Sequence, residues 1–159
     1  MFDFTVDKEA KKVYIQREFA AELALVWEAF TTAALLDRWV APAPAQARTK
    51  YMHFEVGGAR LYAMILPGGE ERWAIQRYTS ITPMTNFQYY NAFCDADGNP
   101  EAVGSEWDHT FSEQDGITTV RITIYNESYE RMERIMEGFR LGFTASLVNL
   151  DKLLAEQQS

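Results

Sequence analysis

The sequence predicts an α+β protein in which a curved, seven-stranded antiparallel sheet wraps around a long C-terminal helix, with two short helices after the first strand. Apolar residues recur with a period of two over most of residues 51–125, as they do in strands. The breaks between these runs are short and rich in glycine, proline and aspartate, which favours hairpins over the crossover helices that parallel strands need. Only the C-terminal segment is long enough to cover an apolar face of such a sheet.

The opening segment predicts one strand and two short helices. Apolar and polar residues alternate over residues 13–19, and an apolar stripe at helical spacing then runs from Leu23 to Phe30. A second short helix is predicted to carry Trp39. Pro42 ends this helix, because proline cannot continue a helical hydrogen-bond ladder.

The spacing of apolar residues also predicts the remaining strands and the C-terminal helices: it is two in the strands and about 3.6 in the helices. Six further strands are predicted at residues 51–56, 60–66, 72–81, 86–94, 105–111 and 118–125. A short helix is predicted at 129–136, joined near Gly138 to a longer helix of about 18 residues. Gly142 lacks a side chain, so we expect a second backbone or a ligand to approach there. The apolar face of the longer helix carries Phe139, Phe143, Leu147, Leu150 and Leu154.

Length and composition narrow the class of protein. The 159 residues are expected to form a single domain, 1–159, since two domains need roughly 100 residues each. A formal net charge of −8 argues against a nucleic-acid partner, because phosphate backbones are bound by basic surfaces. The one cysteine, Cys94, excludes an internal disulfide. No apolar run is long enough for a membrane span or a secretory signal, so we expect a cytoplasmic protein without a membrane partner.

Six short motifs occur in an order that is similar to a known family. They are Arg17-Glu18-Phe19, Val26-Trp27-Glu28-Ala29-Phe30-Thr31, Arg38-Trp39-Val40-Ala41-Pro42, Gly57-Gly58, Ile81-Thr82-Pro83 and Gly142-Phe143-Thr144-Ala145-Ser146-Leu147-Val148-Asn149-Leu150. Their order resembles the family named for the activator of heat-shock-protein-90 ATPase, in the START and birch-pollen-allergen superfamily of helix-grip folds. The likeness covers roughly residues 12–156. Ala21 and Val40 depart from it, where the family has proline and often a second tryptophan.

The resemblance implies a cavity between sheet and C-terminal helix that binds a small hydrophobic or aromatic molecule. Enzymes of cyclase and hydrolase type occur in the same superfamily, so catalysis in that cavity is the alternative function. A chaperone partner in stress response is a third candidate. The founding co-chaperones use an additional N-terminal domain for that activity, and the residues before position 12 are too few to form one. We expect a monomer or a homodimer.

Three polar side chains are candidates for ligand contacts. Arg17 shares a strand face with Phe19 and could hold a carboxylate or phosphate, or it could pair with a carboxylate of the protein itself. Arg77 has the same two interpretations. His109 could act as an acid or base on a ligand, or it could be a hydrogen-bonded core residue.

The pattern predicts no metal site, no cofactor and no catalytic constellation, because no second histidine stands at ligand spacing and no nucleophile motif occurs. The abundant aromatic residues fit either a lined cavity or a filled core, and we favour the lined cavity. The candidate ligand-binding residues are Arg17, Trp39, Tyr62, Trp73, Arg77, Tyr78, Tyr89, Trp107, His109, Phe143 and Leu147.

Overall fold

The computed structural model describes residues 2–42, 44–101 and 103–158 of the chain. It confirms the predicted α+β, helix-grip class, with one antiparallel sheet and a long C-terminal helix. The strands are β1 (Phe2–Asp7), β2 (Lys12–Phe19), β3 (Gln46–Met52), β4 (Ala59–Ile65), β5 (Glu71–Thr82), β6 (Asn86–Cys94), β7 (Ser105–Gln114) and β8 (Ile117–Asn126). The helices are α1 (Leu23–Thr31), α2 (Ala33–Trp39) and α3 (Tyr129–Gln157).

The described sheet has eight strands rather than the seven predicted, in the order β1-β2-β8-β7-β6-β5-β4-β3. The additional strand is β1, which pairs antiparallel with β2 at the edge of the sheet. Its alternation is short, with Phe4 and Val6 packed against the core, Thr5 between them and Asp7 after them. A two-strand hairpin also needs a tight turn, and Lys11 supplies it with a φ of 58°.

The strand predicted at 51–56 is displaced in the structure. The strand β3 ends at Met52. The backbone N–H of His53 then donates to Ala59 O at 2.9 Å, across the turn that leads into β4. Polar residues occur on both faces of this strand. Thr49 donates a hydrogen bond to Asp37, and the pairing register with β4 shifts between Thr49 and Tyr51. Because polar residues occupy both faces, β3 lacks the apolar–polar alternation from which the other strands were predicted.

The C-terminal segment forms one continuous helix of 29 residues, so the predicted joint at Gly138 is wrong. Nothing lies within 4 Å of the position that a Cβ would take at Gly138 or Gly142. The two glycines therefore cost helix propensity without breaking the hydrogen-bond ladder, and no second backbone approaches Gly142. Ser128 begins the helix, and its hydroxyl accepts a hydrogen bond from Arg131 N at 3.2 Å.

The two halves of α3 have different surroundings. The C-terminal half is anchored in the core through Leu147, Leu150 and Leu154, and Ser146 Oγ donates to Val40 O at 2.8 Å. The N-terminal half, up to Phe143, stands over the middle of the sheet and leaves space beneath it. Within the described chain, no helix is both long enough and apolar enough to cross a membrane.

Candidate functional site

A cavity of about 590 Å³ lies between the concave face of the sheet and the N-terminal half of α3. This volume exceeds that of a few water molecules, each of which takes about 30 Å³ in the liquid. Strands β4 to β8 form its floor, α3 forms its roof, and α2 closes one end with Leu36 and Trp39. The cavity exists because α3 is held at its far end, while its first four turns carry glycines and long side chains above the sheet.

An aromatic row crosses the floor of the cavity. Tyr78 pairs with Tyr89 across β5 and β6, and Tyr89 pairs with Trp107 across β6 and β7. The rings of Tyr89 and Trp107 are stacked, with 5.7 Å between their centroids. From the roof, Phe139 meets Trp107 edge-on at 5.8 Å and stacks on Phe143. Floor and roof thus present aromatic faces and edges to the same space.

Three tyrosines of the floor are held neutral. Burial raises the pKa of Tyr78 to about 12 and that of Tyr89 well above its usual value. Burial also raises the pKa of Tyr62, against the opposing charge of Arg60. No hydrogen bond joins these hydroxyl groups to another described residue, so each can donate to or accept from a ligand.

His109 lies in the next row of the sheet and is enclosed by rings. Its imidazole contacts Phe87, Tyr89, Trp107 and Phe30, at centroid distances from 4.3 to 5.9 Å. Burial lowers its pKa to about 3, and an interaction with the backbone of Phe87 opposes this only in part. The imidazole is therefore neutral at pH 7. Its Nδ1 is buried and has no hydrogen-bond partner among the described residues.

A polar row runs beside the aromatic row, one step towards the start of α3. Strand pairing joins Arg60 to Gln76, Gln76 to Asn91, Asn91 to Ser105, and Ser105 to Asn126. All five side chains border the cavity. The floor is thus divided into an aromatic strip and a strip of hydrogen-bonding groups.

Arg60 is the charged residue of the polar row, and it is buried, with a relative exposure of 1%. Its Nη2 donates to Asp37 Oδ1 and its Nε to Thr49 Oγ1, both at 3.1 Å. The guanidinium also lies over the ring of Tyr62, 3.9 Å from the centroid. Asp37 belongs to α2, so this network fixes the short helix to the edge of the sheet.

The structure separates the sequence-predicted site residues into two groups. Those that border the cavity are Trp39, Tyr62, Tyr78, Tyr89, Trp107, His109 and Phe143. Those that do not border it are Arg17, Trp73, Arg77 and Leu147.

Each residue of the second group has another environment. Arg17 forms a salt bridge with Asp151 and donates to Glu18 O, which is the protein-carboxylate pairing left open from the sequence. Trp73 and Arg77 alternate with the cavity-lining residues of β5 and so point to the opposite face, where Lys50 lies over the Trp73 ring. Leu147 is buried in the core.

Sequence reasoning missed the arginines of the cavity. Arg60 precedes Tyr62 by two residues, so the period of a strand places both on one face, and this signal was present in the sequence. Arg131 is eight residues before Phe139, but an arginine four residues after Glu127 fits an i, i+4 pair that supports a helix, which gives no sign of a cavity. In the structure Arg131 is only 7% exposed.

A second, shallower hollow of about 460 Å³ lies on the outer face of the sheet. Residues such as Thr79, Gln88 and Tyr90 line it together with two carboxylates, Glu106 and Asp108. None of its described lining residues belongs to α3, and its lining is more polar than that of the inner cavity, which suits an apolar molecule less well.

Comparison with known proteins identifies the fold and the family. The model of the family described as "Activator of Hsp90 ATPase homolog 1-like protein" matches residues 20–155. No curated protein matches the sequence.

Solved structures from several bacteria are similar over nearly the whole chain. Protein Ms6760 from Mycobacterium smegmatis is 25% identical, with a TM-score of 0.89 and 98% of each chain covered. A solution structure from Arthrobacter aurescens is also 25% identical, with a TM-score of 0.90, covering 97% of this chain and 91% of that one. A protein from Staphylococcus epidermidis is 25% identical, with a TM-score of 0.83 and coverages of 96% and 94%.

Proposed function

The chain belongs to the Activator of Hsp90 ATPase homolog 1-like family, and we propose that it is a binding protein for a small hydrophobic or aromatic molecule held between the sheet and α3. The observation that carries this proposal is the 590 Å³ cavity lined by aromatic rings from both floor and roof. Small-molecule sites in proteins are mostly apolar hollows of this size with a few polar groups that set the orientation.

An unpartnered polar atom supports the proposal. His109 Nδ1 is buried without a hydrogen bond among the described residues, and Tyr78 and Tyr89 line the same cavity. Leaving a buried polar atom unpaired costs about 1–3 kcal/mol. A ligand that supplies a hydrogen-bonding group at His109 removes this cost, which favours a molecule with a polar substituent on an aromatic body.

The enzymatic alternative required His109 and Arg17 to reach one enclosed volume. Arg17 lies outside the cavity in a salt bridge with Asp151. Burial lowers the pKa of His109 to about 3, which makes its imidazole a weak base. These positions support binding rather than acid–base chemistry by this pair. A chaperone partner stays a prediction, to be tested by the chaperone's ATPase rate with and without this protein.

The proposal is tested by native mass spectrometry of the protein purified from its source organism. We expect an additional non-covalent mass that is released on denaturation. The variant Gly142→Leu should abolish it, because a leucine at this position extends into the cavity from a backbone site with no neighbour within 4 Å. The matched control is Ala145→Leu, which makes a similar change at an exposed position of the same helix.

The same variants can be titrated with the apolar fluorophore N-phenyl-1-naphthylamine. Binding by the wild type and by Ala145→Leu, with much weaker binding by Gly142→Leu, is the expected pattern. Wild-type protein that carries no additional mass and does not bind the fluorophore would contradict the proposed function. Equal binding by all three proteins would also contradict it, because the fluorophore would then occupy another place.

A further inference from the structure

The cavity carries positive charge that is only partly neutralised, because Arg60 alone among its arginines pairs with a carboxylate of the described residues. Four arginines border it, two buried and two exposed at its rim, namely Arg60, Arg131, Arg72 and Arg134. None of the described residues that line it is an aspartate or a glutamate. This is unexpected in a chain with a formal net charge of −8.

Arg131 is the cation with the least compensation. It is 7% exposed, yet none of the salt bridges between described residues includes it. Its guanidinium lies over the ring of Phe93 at 5.4 Å, which is a weak substitute for a carboxylate.

Glu127, four residues before Arg131, has other hydrogen-bond partners. Its Oε1 accepts hydrogen bonds from Gly104 N at 2.8 Å and from the hydroxyl of Tyr90. The charge of Arg131 lowers the pKa of Glu127, after larger contributions from these two hydrogen bonds. Glu127 therefore interacts electrostatically with Arg131 but makes no direct ion pair with it.

A buried guanidinium cannot lose its proton, so its charge remains at any ordinary pH. Burying such a charge without a hydrogen-bonded counter-ion is costly, and an anion that enters the cavity relieves that cost. Arg60 is in a different position, because Asp37 and Thr49 already take its Nη2 and Nε. Arg131 is thus the cation with the most to gain from a bound anion.

The amide of Asn91 and the hydroxyl of Ser105 can donate hydrogen bonds to an anionic group in the cavity. Ser105 Oγ accepts from Trp107 Nε1 at 2.9 Å and keeps its own proton to donate, whereas Asn126 Nδ2 already donates to Lys11 O at 3.4 Å. Asn91, Ser105 and Asn126 lie side by side across three strands, in the polar row from which the chain passes into α3 and Arg131. Phe93, which contacts Arg131, is two residues beyond Asn91 on the same face of β6. Arg131 and these polar groups therefore share one end of the cavity, beside the aromatic strip.

We propose that the ligand is an organic anion whose charged group lies at Arg131 and the polar row, while its aromatic or apolar body lies against Trp107, Phe139 and Phe143. This inference rests on the proposed function and specifies its ligand class. The charged group is a planar or tetrahedral oxyanion, since guanidinium and amide donors both bind such oxygens well. Arg134 and Arg72, exposed at the rim, add attraction for the entering anion.

Two fluorophores that differ in one group test this proposal. Both 8-anilinonaphthalene-1-sulfonate and N-phenyl-1-naphthylamine have the same ring framework, but only the first has a sulfonate. We expect the wild type to bind the sulfonate at least about tenfold more tightly, because hydrogen bonds to charged groups are stronger than neutral ones. Arg131→Met should remove most of this preference and leave the affinity for the neutral amine within about twofold.

Three further variants separate the role of Arg131 from general effects of charge. Arg131→Lys retains the charge and should retain part of the preference. Arg134→Met removes an exposed rim charge, is expected to fold normally, and should reduce the preference by a smaller factor. The control Arg140→Met makes the same change on the same helix, at a residue that lies over Phe4 and does not border the cavity, so the preference should remain.

Equal affinities of wild type for the two fluorophores would overturn the inference. A preference for the sulfonate that is unchanged in Arg131→Met would overturn it as well, whatever the effect of Arg134→Met. In either case, weaker binding of both fluorophores by Gly142→Leu would leave the proposed function intact. If neither fluorophore binds the wild type, the proposed function and this inference both fail.

Discussion

The imidazole of His109 stacks face to face on the ring of Phe87, with 4.3 Å between the ring centroids and 11° between the ring planes. The two residues are direct partners across β6 and β7. Because the stack is buried, charging His109 would place a cation among aromatic rings without a counter-ion. This relationship makes His109 a neutral, aromatic part of the cavity wall.

Stability should fall as the pH is lowered below the pKa of an unfolded histidine. Burial lowers the pKa of folded His109 to about 3, from an ordinary value of 6.5. Between these values the unfolded chain binds one proton more than the folded chain, so acid favours unfolding. The expected loss is about 1.4 kcal/mol per pH unit, or roughly 2 kcal/mol between pH 7 and pH 5.

The variant His109→Phe isolates this effect. Phenylalanine keeps the stack on Phe87 and removes the titrating group, so the loss between pH 7 and pH 5 should be much smaller than in the wild type. Urea unfolding at both pH values measures the free energies. Identical pH dependence in the two proteins would show that His109 is not buried in its neutral form.

The network of Asp37, Thr49 and Arg60 should be strongly coupled. Asp37→Ala leaves the guanidinium of Arg60, 1% exposed, without its counter-charge, and we expect a loss of roughly 3 kcal/mol in the free energy of unfolding. Arg60→Met should cost less, because methionine fills similar space and Asp37 is partly accessible to water. Once Arg60 is replaced, removing Asp37 as well should cost only its hydrogen bonds from Thr49 N and Oγ1.

A double-mutant cycle by chemical unfolding measures this coupling. The double variant should be more stable than the sum of the two single effects predicts, by about 1–3 kcal/mol. Additive effects would mean that the ion pair contributes nothing to the attachment of α2 to the sheet.

Replacing the helical glycines by alanine should stabilise the protein. Gly138→Ala and Gly142→Ala each place a methyl group where nothing lies within 4 Å, and alanine is favoured over glycine in a helix by about 1 kcal/mol. Thermal unfolding should show a higher midpoint for both variants. Gly104→Ala is the contrasting variant, since its Cβ would lie 2.3 Å from Asn91 O, and its midpoint should be lower. Lower midpoints for the helical variants would indicate that α3 is kinked or broken near Gly138.

The architecture could be predicted from the sequence because two periods dominate it. Residues such as Tyr89 and Trp107 recur in strand alternation, and Leu147 and Leu154 recur at helical spacing, so a sheet and a covering helix follow from burial alone. The edge strand β1 was missed although Phe2, Phe4 and Val6 alternate with polar residues, because the pattern is only six residues long. The continuity of α3 escaped prediction because the cost of Gly138 is offset by the rest of a 29-residue helix.

The cavity residues could be predicted only in part, for a physical reason. An aromatic residue such as Tyr78 predicts an apolar environment for its side chain, whichever face of the strand it occupies. A charged residue such as Arg131 is ordinarily expected at an exposed position, and its burial depends on the tertiary packing of α3, which the sequence pattern does not show. Arg17 shows the converse, since a shared strand face placed it near the core, although its guanidinium reaches Asp151 at the edge of α3.

The central claim is that an apolar molecule enters the space between the sheet and α3. The most direct test is an NMR measurement of intermolecular nuclear Overhauser effects between bound N-phenyl-1-naphthylamine and the protein. The account predicts contacts from the fluorophore to the side chains of Trp107, Phe139 and Phe143. Contacts confined to outer-face residues such as Tyr90 and Tyr125, or no contacts at saturating fluorophore, would contradict it.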